Sequence, residues 1–407
     1  MIFKDNLLSM HSKLGKSQPN VKPNNTCIIS AGELSGDQHA ALLVKSLKLI
    51  CPDTNFIGYG GPNLESEGVK LVGDYRQSGG VMGFGDVFKK FNIIYKAYNE
   101  VKSAICNQNP SLVILVDYAD FNLRLAKMAY LRKIPVLYFI PPKVWAWRKN
   151  RISDLQKYCS VIASILPFEA DYLTNHGVTQ ARYVGHPFNN EQIFKQDKAL
   201  CKKELCAQLK LDSNKPILSV LIGSRKSEVT RHLAPVSDAI KLLLNHLPEL
   251  QVVFVKAKSI QDISLPDQIR SNVIITDHDS RSVMMGSDVG IIKSGTSTLE
   301  AAFAELPFVC IYQAPKISEV LLRIFSSIES ISLPNLILPN TVKELVQDEC
   351  NAQNICDEVL NLLSESNRQQ VIGAFKKVKS NLQFSGDSYQ NVAQMASEFL
   401  NNRSKSQ

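Results

Sequence analysis

Residues 111–131 read SLVILVDYADFNLRLAKMAYL, and this stretch decides the fold. Residues 112–116 are apolar at successive rather than alternate positions, as in a strand covered on both faces. A polar turn with two aspartates follows, and then apolar residues at helical spacing from Leu123. Beyond the helix comes IPVLYFI at 134–140, a second strand candidate. Strand, turn, helix, strand is the βα repeat, which joins parallel strands and packs helices on both faces of a sheet.

The same pattern extends in both directions. TCIISAG (26–32), SVIASILPF (160–168) and ARYVGH (181–186) complete an N-terminal set. The pattern then lapses into a charged helical stretch ending at Lys215-Pro216, so the domain junction is placed near Pro187. PILSVLIG (216–223) opens a second series that runs through QVVFVKAK, NVIITD, DVGIIKSG and PFVCIYQ. The expected division is a flexible extension 1–25, a domain 26–186, a linker 187–215 and a domain 216–407. Helix-forming sequence from about Ala352 onward is expected to return toward the N-terminal domain. The fold class is α/β, two parallel sheets with helices on both faces.

Bulk properties agree with this division. A chain of 407 residues exceeds what one core usually organises. A formal charge of +8 favours an anionic partner: nucleic acid, phosphorylated metabolite or acidic membrane surface. The basic residues are dispersed and no reader motif is present, which argues against nucleic acid. Nine cysteines without CxxC pairs fit a reducing compartment. No apolar run approaches the roughly 20 residues of a membrane-spanning helix. The first 25 residues lack the apolar core of a secretion signal.

In open parallel sheets ligands bind beyond the carboxyl ends of the strands, so the loops there carry the candidate chemistry. After TCIIS comes a small-residue acidic turn containing Glu33, Ser35 and Asp37; it either receives a ligand or caps the next helix. After SLVILV, Asp117 and Asp120 are candidates for a general base or an N-cap. After PILSVLIG, Ser224, Arg225 and Lys226 fit a phosphate grip. The turn Gly295, Thr296, Ser297 before a helix carrying Glu300 would offer backbone N–H groups to an anion. His186 in VGHPF is a possible pocket residue or a structural histidine. The two tryptophans, Trp145 and Trp147, sit together in PPKVWAWR, where packing is the larger expectation. Finally, 86–99 is a basic amphipathic helix. With the preceding Val81-Met82-Gly83-Phe84-Gly85 it is suited either to covering a core or to lying in a membrane interface through Val81, Met82, Phe84, Val87, Phe88 and Phe91.

Taken together, SAGELSGD, GYGGP, VMGFGDV, DYADFN, VWAWR, LPFE, VGHP, GSRKSEV, KSGTSTLEAA and SLPNL resemble, in order and rough spacing, the bacterial lipid-A-disaccharide synthase family from about Thr26 to about Glu398. The resemblance implies GT-B architecture, two Rossmann-like domains facing a central cleft. It implies inverting transfer of 2,3-diacylglucosamine from its UDP donor to 2,3-diacylglucosamine 1-phosphate, at the cytoplasmic face of a membrane and without a cofactor or metal. Asp120 matches the family's catalytic aspartate. Arg225 and the 295–297 turn match its leaving-group site, Glu300 the ribose-holding acid of many GT-B enzymes, and Asn335, Glu33 and Ser35 further site positions. Three positions depart from the family pattern: Ile222 and Ala119 replace prolines, and Pro142-Lys143 replaces a serine-containing sequence. Other UDP-sugar transferases or epimerases, and a non-catalytic nucleotide-sugar or lipid-binding protein, are the alternatives.

Overall fold

A computed structural model of the chain describes residues 24–79, 86–146, 148–257, 260, 262–314 and 330–402. Two open sheets organise them. The first contains β1 (Asn24–Ala31), β2 (Asn55–Gly60), β3 (Lys70–Asp74), β4 (Pro110–Val116), β5 (Val136–Phe139), β6 (Val161–Ser164) and β7 (Ala181–Tyr183), in the order β3-β2-β1-β4-β5-β6-β7. The second contains β8 (Ile217–Leu221), β9 (Gln251–Val255), β10 (Val273–Thr276), β11 (Val289–Lys293), β12 (Phe308–Tyr312) and β13 (Glu344–Val346), in the order β10-β9-β8-β11-β12-β13. β1 runs parallel to both β2 and β4, and β8 to both β9 and β11. The winding direction therefore reverses between β1 and β4 and between β8 and β11, which opens a crevice at the carboxyl edge of each sheet.

The helices that join these strands or border their carboxyl edges include α1 (Leu34–Ile50), α2 (Pro62–Ser66), α3 (Asp86–Gln108), α4 (Ala119–Leu131), α5 (Lys226–His246), α6 (Ser280–Gly286), α7 (Thr296–Phe303) and α8 (Leu333–Ile337). By compactness the chain divides into two units. One comprises the residues through Pro142 with Asp154–Ala163 and the segment from Val392; the other comprises Lys143–Ser153 and Ser164–Asn391.

Alternation along the strands builds two apolar layers in the second unit. Phe308 and Cys310 of β12 and Val253 and Val255 of β9 face one layer. Val309 and Ile311, with Val252 and Phe254, face the other. Successive strand residues point to opposite faces, so a continuously apolar strand serves both layers at once. A large apolar side chain buried this fully contributes roughly 1.5–3 kcal/mol.

Three strands fall outside the sequence expectation. β2 contains Gly58 and Gly60, which dilute its apolar signal; a Cβ on Gly58 would lie 2.5 Å from the Ile29 carbonyl oxygen, so the sheet needs glycine there. β3 and β13 are short edge strands of five and three residues. Among the expected membrane-contacting positions, Val81, Met82 and Phe84 lie outside the described residues, as do the side chains of Val87, Phe88 and Phe91 on α3. Trp147 and the extension through residue 23 lie outside them too. Among the described residues no helix is long and apolar enough to cross a membrane.

Candidate functional site

In the first unit the β4 strand ends in two successive left-handed residues, Asp117 and Tyr118, each at φ 48°. That turn starts α4 at Ala119, four residues before the start expected from apolar spacing. Left-handed geometry costs roughly 1–2 kcal/mol at each such residue, and specific hydrogen bonds offset it. Asn122 and Tyr138 both donate to the Asp117 carbonyl at 2.7 Å. Asn122 is fully buried; it also donates to the Val116 carbonyl and accepts from the Ser30 hydroxyl at 2.7 Å. The asparagine thus ties the ends of β1 and β4 together. Ala119 occupies the first helical position, the place where proline is best tolerated and alanine is a strong helix former.

Asp120 is therefore not an N-cap: Tyr118 is, and Asp120 stands exposed in the first turn of α4. Glu33 is the N-cap residue of α1 without a side-chain capping bond, and Ser35, also exposed, lies in the first turn. Capping does occur in this loop, but Asp37 performs it and for a different helix. Its buried carboxylate accepts from Gly61 N (2.8 Å), Asn63 N (3.0 Å), Asn63 Nδ2 (2.8 Å) and Leu64 N (3.3 Å). Asp37 thus caps α2 rather than the helix that carries it.

Tyr118 joins the two loops. A Cβ on Gly32 would lie 2.0 Å from Tyr118 Cδ1, so the ring lies directly over the end of β1 and any side chain at 32 would force it away. Phe121 supports that ring (centroids 5.4 Å apart) and stacks on Tyr59 at 5.0 Å. Burial raises the Tyr118 phenol pKa above its usual range, and the Glu33 and Asp120 carboxylates push it in the same direction. Glu33, Asp120 and Tyr118, drawn from two strand ends, thus share one electrostatic neighbourhood.

In the second unit a pocket of about 470 Å³ opens where β8, β9, β10 and β11 end. Ser224, Gly295, Thr296 and Ser297, all expected from sequence, line it. Lys256, Asp277, His278, Asp279, Lys293 and Glu228 line it as well, and sequence reasoning missed them because no local pattern marks them. Arg225 follows Ser224 as the exposed N-cap residue of α5. Gly295 caps α7 at φ 154°, so the positive end of that helix faces the pocket. The far end of α7 is fixed by Lys198, whose amine donates to the Ala304 and Glu305 carbonyls at 2.9 and 3.1 Å. Burial pushes that amine down to about 8. Where the family carries proline, Ile222 is 1 % exposed in the apolar layer, so packing anchors the loop ahead of Arg225.

Two expected residues, Glu300 and Asn335, are buried and are not among those that line the pocket. Glu300 is buried on α7, and its Oε1 accepts from Arg281 Nε of α6 at 3.0 Å. Arg281 also pairs with Glu191 and lies over the Phe188 ring, 5.4 Å from its centroid. Burial raises the pKa of both carboxylates, against the opposing pull of Arg281. Asn335 on α8 donates both amide hydrogens, to the Val342 carbonyl (2.9 Å) and Glu344 Oε1 (2.7 Å), and its Oδ1 accepts from Val342 N at 2.8 Å. It clamps the chain leaving α8. Glu344, absent from the sequence expectation, also accepts from Ile331 N and from Ser332 N and Oγ, fixing the SLPN turn.

His186 is structural. It is buried, its Nδ1 accepts from Phe188 N at 3.2 Å, and its ring packs on Phe188 and Phe303. Trp145 is an anchor too: its indole N–H donates to Glu169 Oε1 at 3.0 Å, and its ring meets Phe168 edge-on. Glu169, the acid of LPFE, is buried and also accepts from the Ser164 hydroxyl at 2.5 Å.

Two doubly wound parallel sheets, with a pocket at the carboxyl edge of the second, give the chain the paired Rossmann-like folds of GT-B proteins. Solved structures agree on the fold. A UDP-GlcNAc 2-epimerase from Neisseria meningitidis bound to UDP-GlcNAc superposes with TM-score 0.57 over 93 % of this chain and 99 % of its own. The S. aureus MnaA–UDP co-structure gives 0.61 over 92 % and 97 %. Both are 12 % identical, a likeness that concerns fold alone. Sequence comparison goes further, because residues 27–399 match the lipid-A-disaccharide synthetase family model. The lipid-A-disaccharide synthase of Nitrosococcus oceani is 34 % identical over 348 residues, covering 84 % of this chain and 88 % of that protein. That of Coxiella burnetii is 31 % identical over 379 residues, covering 93 % and 99 %. The chain belongs to the lipid-A-disaccharide synthase family.

Proposed function

We propose that this enzyme transfers 2,3-diacylglucosamine from UDP-2,3-diacylglucosamine to the 6-hydroxyl of 2,3-diacylglucosamine 1-phosphate, releasing UDP and the β-1,6-linked disaccharide 1-phosphate. The observation that carries this reading is the pair of carboxyl-edge sites within a chain of this family: an exposed aspartate in the first turn of α4 in one unit and a pocket at the start of α7 in the other.

The chemistry follows from those residues. Asp120 takes the proton of the acceptor hydroxyl as its oxygen bonds to the donor's anomeric carbon. The bond from that carbon to the diphosphate breaks on the opposite side, which inverts the configuration. Charge gathering on the departing diphosphate is met by Arg225 and by the backbone N–H groups at the start of α7. The backbone donors are fixed before the reaction begins and need little reorganisation. Glu300, held by Arg281, is the acceptor assigned to the ribose hydroxyls.

Incubation of detergent-solubilised enzyme with both lipid substrates is expected to release UDP and disaccharide phosphate in equal amounts. Absence of product from folded protein would overturn the assignment. Acylated substrates reside in a bilayer, so we further assign residues 81–91, apolar with basic neighbours, to contact with an anionic membrane surface at the cytoplasmic face. Phe84→Ser combined with Phe88→Ser is expected to reduce co-sedimentation with anionic vesicles several-fold; unchanged sedimentation would sink this assignment.

A further inference from the structure

The second unit's pocket carries an internal anion in its wall. Glu228 stands in the first turn of α5, and its Oε1 accepts from Lys293 Nζ at 3.0 Å. Its other oxygen accepts from the Ser224 backbone N–H at 3.2 Å. All three residues line the pocket. The pair is well shielded, with side chains 18 % and 14 % exposed for Lys293 and Glu228. Gly223, at φ 125°, lies so close that a Cβ there would be 2.7 Å from the Glu228 Cβ. The strand-end loop is thus folded onto this carboxylate.

A glutamate three residues past an N-cap often reaches back to a nearby backbone N–H as half of a capping box. That role explains the Ser224 contact. It leaves unexplained why the lysine lining a pocket for an anion is neutralised by a carboxylate from the same wall. A lysine ammonium and a loop N–H are the donors a phosphate oxygen would use.

We propose that Glu228 stands in for a phosphate group, holding Lys293 and the Ser224 amide in position and weakening retention of the nucleoside diphosphate product. The inference rests on the reading of this pocket as the UDP site. Glu228 is accordingly a positioning residue that trades product affinity for release. With its negative charge removed, Lys293 and the Ser224 N–H turn to the diphosphate, and UDP is held more tightly.

The test is UDP affinity measured calorimetrically for the wild type, Glu228→Gln and Lys293→Gln. The expected result is a Kd at least five-fold lower for Glu228→Gln and higher for Lys293→Gln. Steady-state turnover of Glu228→Gln should become more sensitive to added UDP. A purely capping or packing role predicts the same direction for both variants, and an unchanged or raised Kd in folded Glu228→Gln overturns the proposal. Should that variant not fold, Glu228→Ala, which likewise removes the negative charge, replaces it with the same expected direction. Failure of the wild type to bind UDP at all would instead overturn the assignment of the pocket.

Discussion

Replacement of Asp120 by asparagine is expected to lower kcat by about 10²–10⁴-fold, the range associated with loss of a positioned general base. Asparagine keeps the size and the place in α4 but cannot take the acceptor proton. UDP binding should be unchanged, because the pocket assigned to UDP is built from other loops. A companion variant separates chemistry from scaffolding. Asn122→Leu removes the ties to Ser30, Val116 and Asp117 that hold the left-handed turn, and costs each of these groups one hydrogen bond. It should lower both the unfolding temperature and kcat, whereas Asp120→Asn should lower kcat alone. Turnover near the wild-type rate in Asp120→Asn would exclude that residue as the base.

Arg281→Met is expected to give the largest change in stability. The guanidinium joins Glu191 and Glu300, and its removal leaves two shielded carboxylates without their common counter-charge. Breaking one side of a buried pair costs about 3–5 kcal/mol; because the Arg281 side chain is 29 % exposed, the lower end, ~3 kcal/mol, applies. For a unit of this size that corresponds to roughly 6–12 °C in Tm. The pH dependence has a definite sign. Burial already raises the Glu191 and Glu300 pKa values, so folding binds their protons more tightly than the unfolded chain does. Their contribution therefore favours the folded state at low pH and is lost as pH rises through the folded-state values. Without Arg281 those values rise further, so the variant should recover part of its deficit as the pH is lowered through the carboxylate range. Differential scanning calorimetry from acidic to neutral pH checks this. Arg281→Lys keeps the charge but lacks the planar fork that spans two carboxylates, and should restore only part of the loss. A pH-independent deficit would show that packing over Phe188, not charge, carries the role of Arg281.

The βα repeat was legible because strands such as β4 and β8 are buried on both faces and so apolar at nearly every position. β2, β3 and β13 were not, since two glycines or a short edge carry too little apolar signal to separate from loop. Strand ends were legible as site positions for a related reason. Once the strands are parallel, their following loops gather at one edge, and Ser224, Gly295, Thr296 and Ser297 do line one pocket there. The resemblance in ten ordered motifs supplied the roles proposed for residues that spacing alone left between ligand binding and helix capping.

What the chain determined by itself is therefore the local and the periodic: which segments are strands, which turns succeed them, and that glycines and small hydroxyls open the helix starts. Tertiary structure decided the pairings between segments far apart in sequence. Asp37 caps a helix it does not belong to, Arg281 holds Glu300 to Glu191, Glu344 fixes the SLPN turn, and Glu228 neutralises Lys293 across 65 residues. A carboxylate's role depends on which charges and N–H groups surround it after folding, and that neighbourhood has no period in the sequence to reveal it.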